Sequence, residues 1–175
     1  MTQNLLTEKI ILGIDPGTAK MGYSLLKFGS KSNKKFYLEL ITSQVIQTSP
    51  ELNLPRRLKI LYNTLTQLVK IYKPDTMSVE RIFFNTNAKT AINVGQARCV
   101  ALLVTAQKNL DVFEYTALEA KMVLTGYGRS DKKQMQEAVQ KTLKLKEKIK
   151  SDDANDAVAI ALCHVKKFYE IGKAR

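Results

Sequence analysis

A chain of 175 residues can bury one core well and two only marginally, so a single domain over residues 1–175 is expected. Its 28 Lys and Arg outnumber 16 Asp and Glu, a formal charge of +12, which selects a polyanionic partner, nucleic acid or an anionic surface. No stretch approaches the ~18 uncharged apolar residues that span a bilayer, and Met1 to Lys9 lacks the apolar core of a signal peptide, so a soluble, cytoplasmic protein with no membrane partner is expected.

In chain order, Lys9 to Ile14 and Met21 to Phe28 read as strands joined through Pro16-Gly17, and the polar stretch Gly29 to Lys35 turns into a third strand, Phe36 to Gln47. The three form an antiparallel meander. Leu54, Leu58, Leu61, Leu65, Leu68 and Tyr72 recur at three- and four-residue steps, one face of a helix that Lys73-Pro74-Asp75 stops. Thr76 to Glu80 is short and apolar, which suits a buried fourth strand. Ala88 to Gln107 predicts a helix whose only charges are Lys89 and Arg98, apolar enough to be sandwiched or used in a subunit contact. Asp111 to Tyr115 predicts a fifth strand, Thr116 to Leu124 a short helix, and Ser130 to Leu143 another. Ser151 or Asp152 then caps a last helix with Val158, Ile160, Ala161, Leu162 and Val165 on its apolar side. Strands first, then helices alternating with single strands, imply an α/β fold with a mixed sheet and helices on its faces.

Four carboxylates carry the chemistry. Asp15 ends the first strand at a Pro-Gly turn, Glu80 ends the fourth, and Asp153 and Asp156 lie three apart on one side of the last helix. Each has an ordinary explanation taken alone: a turn aspartate, a surface partner for Arg81, and acidic residues complementing a helix dipole. Asp156 lies beyond the first helical turn, and an acid ending an apolar strand is costly without a compensating cation. Together, in a basic chain, they point to divalent metal and phosphodiester chemistry. The two cysteines, Cys99 and Cys163, lack the spacing of a zinc or redox motif and are expected to be buried free thiols. His164, over two turns past Asp156, reads as a packing residue, Tyr127 as an ordinary loop tyrosine, and the basic run Lys141 to Lys150 as a solvated helix end and loop.

Ile11-Leu12-Gly13-Ile14-Asp15-Pro16-Gly17-Thr18 with Gly22-Tyr23, Val79-Glu80 with Phe83, Gly95-Gln96-Ala97-Arg98, Val112-Phe113-Glu114-Tyr115, Gly126-Tyr127-Gly128 before Lys132, and Asp153-Ala154-Asn155-Asp156-Ala157 resemble, in order, the motifs of the RuvC family of Holliday-junction resolvases. The resemblance implies an RNase H-like mixed five-stranded sheet flanked by helices, a homodimer, and magnesium-dependent symmetric nicking of four-way junction DNA in recombination and repair. It implies Asp15, Glu80, Asp153 and Asp156 as ligands of two Mg2+ ions, with Mn2+ able to substitute, and RuvA and RuvB as possible branch-migration partners. Phe83 matches an aromatic that contacts junction bases, with Phe84 beside it expected in the core. Lys121 and Lys132 match basic residues of DNA binding and catalysis, and Arg129 and Lys133 belong to the same basic stretch. Cys99 and Leu118 stand where the family usually has glycine and proline. Two rival functions stand beside it: a non-catalytic junction- or RNA-binding relative of the same fold, and an actin- or sugar-kinase-type ATP-binding domain suggested by Asp15-Pro16-Gly17-Thr18. The full carboxylate set speaks against the first, and a chain too short for a second lobe against the second.

Overall fold

A computed structural model describes residues 7–30, 36–81 and 88–170. Strands β1 (Lys9–Asp15), β2 (Lys20–Ser30) and β3 (Phe36–Gln47) form the antiparallel meander, and β4 (Thr76–Glu80) and β5 (Asp111–Tyr115) add in parallel on the other side of β1. The sheet order is β3-β2-β1-β4-β5. The helices are α1 (Leu54–Tyr72), α2 (Ala88–Lys108), α3 (Ala117–Thr125), α4 (Lys132–Leu143) and α5 (Asp152–Val165), the last running into a π-helical turn, Lys166–Glu170.

Side-chain alternation along the strands decides which helix covers which face. Leu12 and Ile14 of β1 and Met77 and Val79 of β4 pack with Leu61 and Leu65 of α1 and Ala97, Ala101 and Val104 of α2. Ile11 and Leu26 face the opposite side, where Val158, Ile160 and Leu162 of α5 and Met135 and Val139 of α4 cover them. The residues between, Gly13, Asp15, Ser78 and Glu80, therefore share the α5 face. Two cores lie back to back across one sheet, the layering expected of an α/β fold.

Local chemistry sets the ends. Asn53 accepts from the Arg56 N–H and caps α1, a contact worth about 1 kcal/mol. Lys73 closes that helix in the left-handed region at φ 46°. Asp75 then locks β4 to β1, its N–H donating to the Ile10 carbonyl while its carboxylate accepts from the Ile10 N–H and Lys9 Nζ. Thr116 with Glu119 and Asp131 with Gln134 form reciprocal caps at the starts of α3 and α4. Helix α4 begins at Lys132, two residues past the expected Ser130, because the Ser130 hydroxyl is buried and bonds the Tyr127 carbonyl and Thr125 within the preceding turn. Of the two permitted caps for α5, Ser151 is the one used.

One expectation is overturned. Cys163 is buried, but Cys99 is exposed. Ala97, Ala101 and Val104 set the inward stripe of α2, and a residue two past Ala97 lies about 200° round the helix from it, on the outer side. Among the described residues no helix is long and apolar enough to cross a membrane.

Candidate active site

The site forms where β1, β4 and α5 meet. In parallel register Ile14 lies beside Val79, so Asp15 and Glu80, each one residue further, end up as neighbours at the same edge and on the same face. Helix α5 brings Asp153 and Asp156 to them by lying unusually close to the sheet. A Cβ on Gly13 would stand 2.3 Å from the Ala157 carbonyl oxygen, and one on Gly22 would stand 1.9 Å from the Asp153 carbonyl oxygen. Gly22 is also the β2 partner of Asp15. Only hydrogen at these two positions lets the first turn of α5 rest on β1 and β2. The Ser24 hydroxyl pins the contact, donating to the Ala157 carbonyl at 3.0 Å.

Electrostatics show how tightly the carboxylates are gathered. Asp15 is pushed up to about 9, first by burial and then by the charges of Glu80, Asp156 and Asp153 and by a hydrogen bond to Glu80. Burial also raises Glu80, offset by that shared hydrogen bond and by Lys121. Asp156 is raised by burial and by Asp152, and held down by Lys132 and Lys121. Burial and mutual repulsion disfavour ionising both carboxylates together, so the pair holds a proton more readily than ordinary carboxylates do. Among the described residues no group of three or more acidic, histidine or cysteine side chains is placed, as the side chains stand, to hold a metal ion. The donor set nevertheless fits a hard divalent cation: oxygen ligands only, largely desolvated, with surplus negative charge.

A cavity of about 180 Å³ opens beside the carboxylates, lined by Glu80 and Asp156, by Lys121 of α3 and by Lys132 and Met135 of α4. Lys132 donates to Asp152 at 2.7 Å, an exposed pair that orients the side chain more than it stabilises the fold. The structure thus unites six of the sequence-predicted residues: Asp15, Glu80, Asp153, Asp156, Lys121 and Lys132. Arg129 and Lys133 are exposed and do not line the cavity. Phe83 and Phe84 lie outside the described residues.

Other placements differ from sequence reasoning or sharpen it. Arg81 does not partner Glu80; its Nε donates to Glu114 Oε2 at 3.3 Å. His164 is fully buried as a packing residue, its Nδ1 2.8 Å from the Tyr115 hydroxyl and its ring against Phe113 and Phe168. Burial lowers it to about 4, so it is neutral at ordinary pH. Tyr127 is exposed, and Lys148 of the basic run pairs with Glu137 at 2.9 Å. Sequence reasoning missed the positioning roles of Gly13, Gly22 and Ser24; a serine and two glycines on otherwise apolar strands were the available signal.

Residues 11–164 match the family model described as crossover junction endodeoxyribonuclease RuvC. A protein of that description from Desulforamulus reducens is 48% identical over 155 residues, covering 89% of this chain and 92% of its own length. One from Rubrobacter xylanophilus is 46% identical over 159 residues, covering 90% and 86%. The structure of Thermus thermophilus RuvC in complex with Holliday junction substrate superposes with a TM-score of 0.83 at 27% identity, over 94% of this chain and 96% of that one. The mixed five-stranded sheet is accordingly the expected RNase H-like fold. With a family match over residues 11–164 and relatives close to half identical, the chain belongs to the RuvC family of crossover junction endodeoxyribonucleases.

Proposed function

We propose that this protein resolves four-way (Holliday) DNA junctions by paired, symmetric nicks in recombination and repair, as a divalent-metal endonuclease. The observation that carries the reading is the gathering of Asp15, Glu80, Asp153 and Asp156 on one sheet face beside Lys121 and Lys132, on a chain of net charge +12. The alternatives, a non-catalytic relative and a kinase-like ATP-binding domain, account for neither the carboxylate set nor the family match.

Asp15 and Glu80 at the two strand ends and Asp153 and Asp156 on α5 are the residues that would hold the metal. Two Mg2+ ions, or Mn2+ in their place, would supply an activated water and stabilise the leaving 3′ oxygen. For both Asp15 and Glu80 to hold a cation, the proton that their raised pKa values favour would have to leave. Lys121 and Lys132, across the cavity, hold the scissile phosphate and balance the charge that develops on it. Cleavage with this polarity leaves a 5′ phosphate and a 3′ hydroxyl. Phe83, three residues after Glu80, stacks on a base opened at the crossover. Arg129 and Lys133, both exposed, contact flanking phosphates and set position rather than sequence.

Symmetric nicking needs two such sites related by a two-fold axis. The outer side of α2 suits that contact: Ile92 and Leu103 are 59% and 50% exposed and, with Cys99 and Leu58, border an apolar groove of about 390 Å³. A second copy of the chain covers it, and RuvA and RuvB are the branch-migration proteins that would load the dimer on DNA.

The test is cleavage of a labelled four-way junction and a matched linear duplex, in Mg2+ or EDTA, by wild type, Glu80→Gln and Asp153→Asn. Paired nicks on the junction alone, lost in EDTA and in both variants while junction binding persists, are expected. Equal cutting of plain duplex, or a variant cutting at wild-type rate, refutes the reading.

A further inference from the structure

Side-chain alternation divides the end of β4 between the two faces of the sheet. Glu80 points to α5, so Arg81 points to the α1–α2 side. The Arg81 N–H donates to the Tyr115 carbonyl at 2.8 Å, carrying the parallel pairing one residue past the strand. Its Nε donates to Glu114 Oε2 at 3.3 Å. The other oxygen of that carboxylate accepts from Nη2 of Arg98, which reaches across from α2. Glu114 lies on β5 opposite Val79, within the α1–α2 face. One carboxylate thus ties the residue after Glu80 to the last strand and to a long helix.

The Arg81 side chain is 52% exposed, but the Arg98–Glu114 half of the arrangement is more than an ordinary surface pair. The Glu114 and Arg98 side chains are 26% and 23% exposed, so the pair is partly shielded from water and salt. A guanidinium on each oxygen fixes the carboxylate from two directions. Among the described residues Glu80 makes no such ion pair; its carboxylate hydrogen-bonds Asp15 instead. What holds it in place is the backbone at the end of β4, and a strand end frays unless it is tied.

We propose that Glu114 is a positioning residue for the metal site: with Arg98 behind it, it clamps Arg81 from the far face of the sheet and so holds Glu80 at the place where it meets Asp15. This rests on the reading of Glu80 as a metal ligand. The brace acts on the ion's affinity rather than on DNA, since its three side chains belong to the opposite face from the carboxylates.

The experiment compares Glu114→Gln, Arg81→Ala and the double variant with wild type and with Glu80→Gln. Mn2+ binding to the DNA-free protein is followed by electron paramagnetic resonance. Single-turnover junction cleavage is followed against Mg2+ concentration, and junction affinity is measured without divalent ions. A supporting residue around a metal tunes affinity by roughly 10- to 100-fold, so Glu114→Gln is expected to weaken Mn2+ at least about tenfold and to raise the half-maximal Mg2+ in step. Excess Mg2+ restores its rate, and its metal-free junction affinity equals wild type. Arg81→Ala behaves alike, and the double variant is no worse than the poorer single one, because both remove the same contact. Wild-type Mn2+ affinity in Glu114→Gln, additive losses, or a loss confined to junction affinity overturns the brace. Glu80→Gln separates the two readings: if it binds Mn2+ as wild type does, the metal assignment itself fails, whereas if it loses Mn2+ and Glu114→Gln does not, only the brace fails.

Discussion

Gly22→Ala is the smallest change that should disable this site while leaving the carboxylates intact. The added Cβ would lie 1.9 Å from the Asp153 carbonyl oxygen and 2.4 Å from its carbonyl carbon, both backbone atoms that no rotamer change can move. To reach ordinary contact the first turn of α5 must recede from β2 by more than about 1 Å, at a cost on the order of 1–3 kcal/mol for overpacking. That turn carries Asp153, and Gly22 is paired with Asp15, so the recoil opens the site at its centre. A displacement of about 1 Å in a reacting constellation lowers the rate roughly 100-fold. The expected outcome is therefore a large fall in single-turnover junction cleavage with a modest fall in melting temperature. Gly95→Ala supplies the contrast within one chain: nothing of that chain lies within 4 Å of its Cβ position, so although Gly95 borders the groove assigned to a second copy, replacing this helical glycine should stabilise the single fold by up to about 1 kcal/mol. Cleavage by Gly22→Ala within about threefold of wild type would refute the argument that α5 is seated through this glycine.

Because burial and mutual repulsion raise Asp15 to about 9 and also raise Glu80 and Asp156, protons compete with the cation, and the half-saturating Mg2+ concentration should fall as pH rises from 6 to 9, by about tenfold per unit for each proton displaced. Calorimetric Mg2+ affinity independent of pH over that range would contradict it. His164 also favours higher pH, through the fold: its pKa falls from 6.5 to about 4, so its stabilisation is complete above 6.5 and is lost as pH drops towards 4, up to about 3 kcal/mol. Thermal unfolding of wild type against His164→Gln, which removes the titration, should show the two curves converging towards pH 4; a constant difference between pH 7 and 4 would rule it out. Phe83→Ala should lose about 1–3 kcal/mol of stacking in junction cleavage while Phe83→Trp keeps most of it. A loss explained wholly by a lower melting temperature would mark Phe83 as a packing residue.

Local pattern in the chain was enough to determine the elements and the identity of the chemistry. Three- and four-residue spacing marked α1, β-branched runs marked β1 and β4, and three-residue spacing put Asp153 and Asp156 on one helical side; each depends on residues within a turn or a strand of one another. Six motifs in order were enough to indicate the family. Only the tertiary structure decided which face each side chain takes and what meets there. The parallel register that sets Asp15 beside Glu80 joins residues 65 apart in sequence, and the glycines that admit α5 to the sheet look, in the chain alone, like ordinary strand glycines. Arg81 looked like a partner for its neighbour Glu80, yet adjacent strand residues point to opposite faces, and it pairs with Glu114 instead. Cys99 looked buried because α2 is apolar nearly all round, and only the placement of Ala97, Ala101 and Val104 against the sheet turns it outward. Periodicity is a property of neighbours along the chain, whereas register, close approach and facing depend on contacts between segments far apart in it, and those are set when the segments pack.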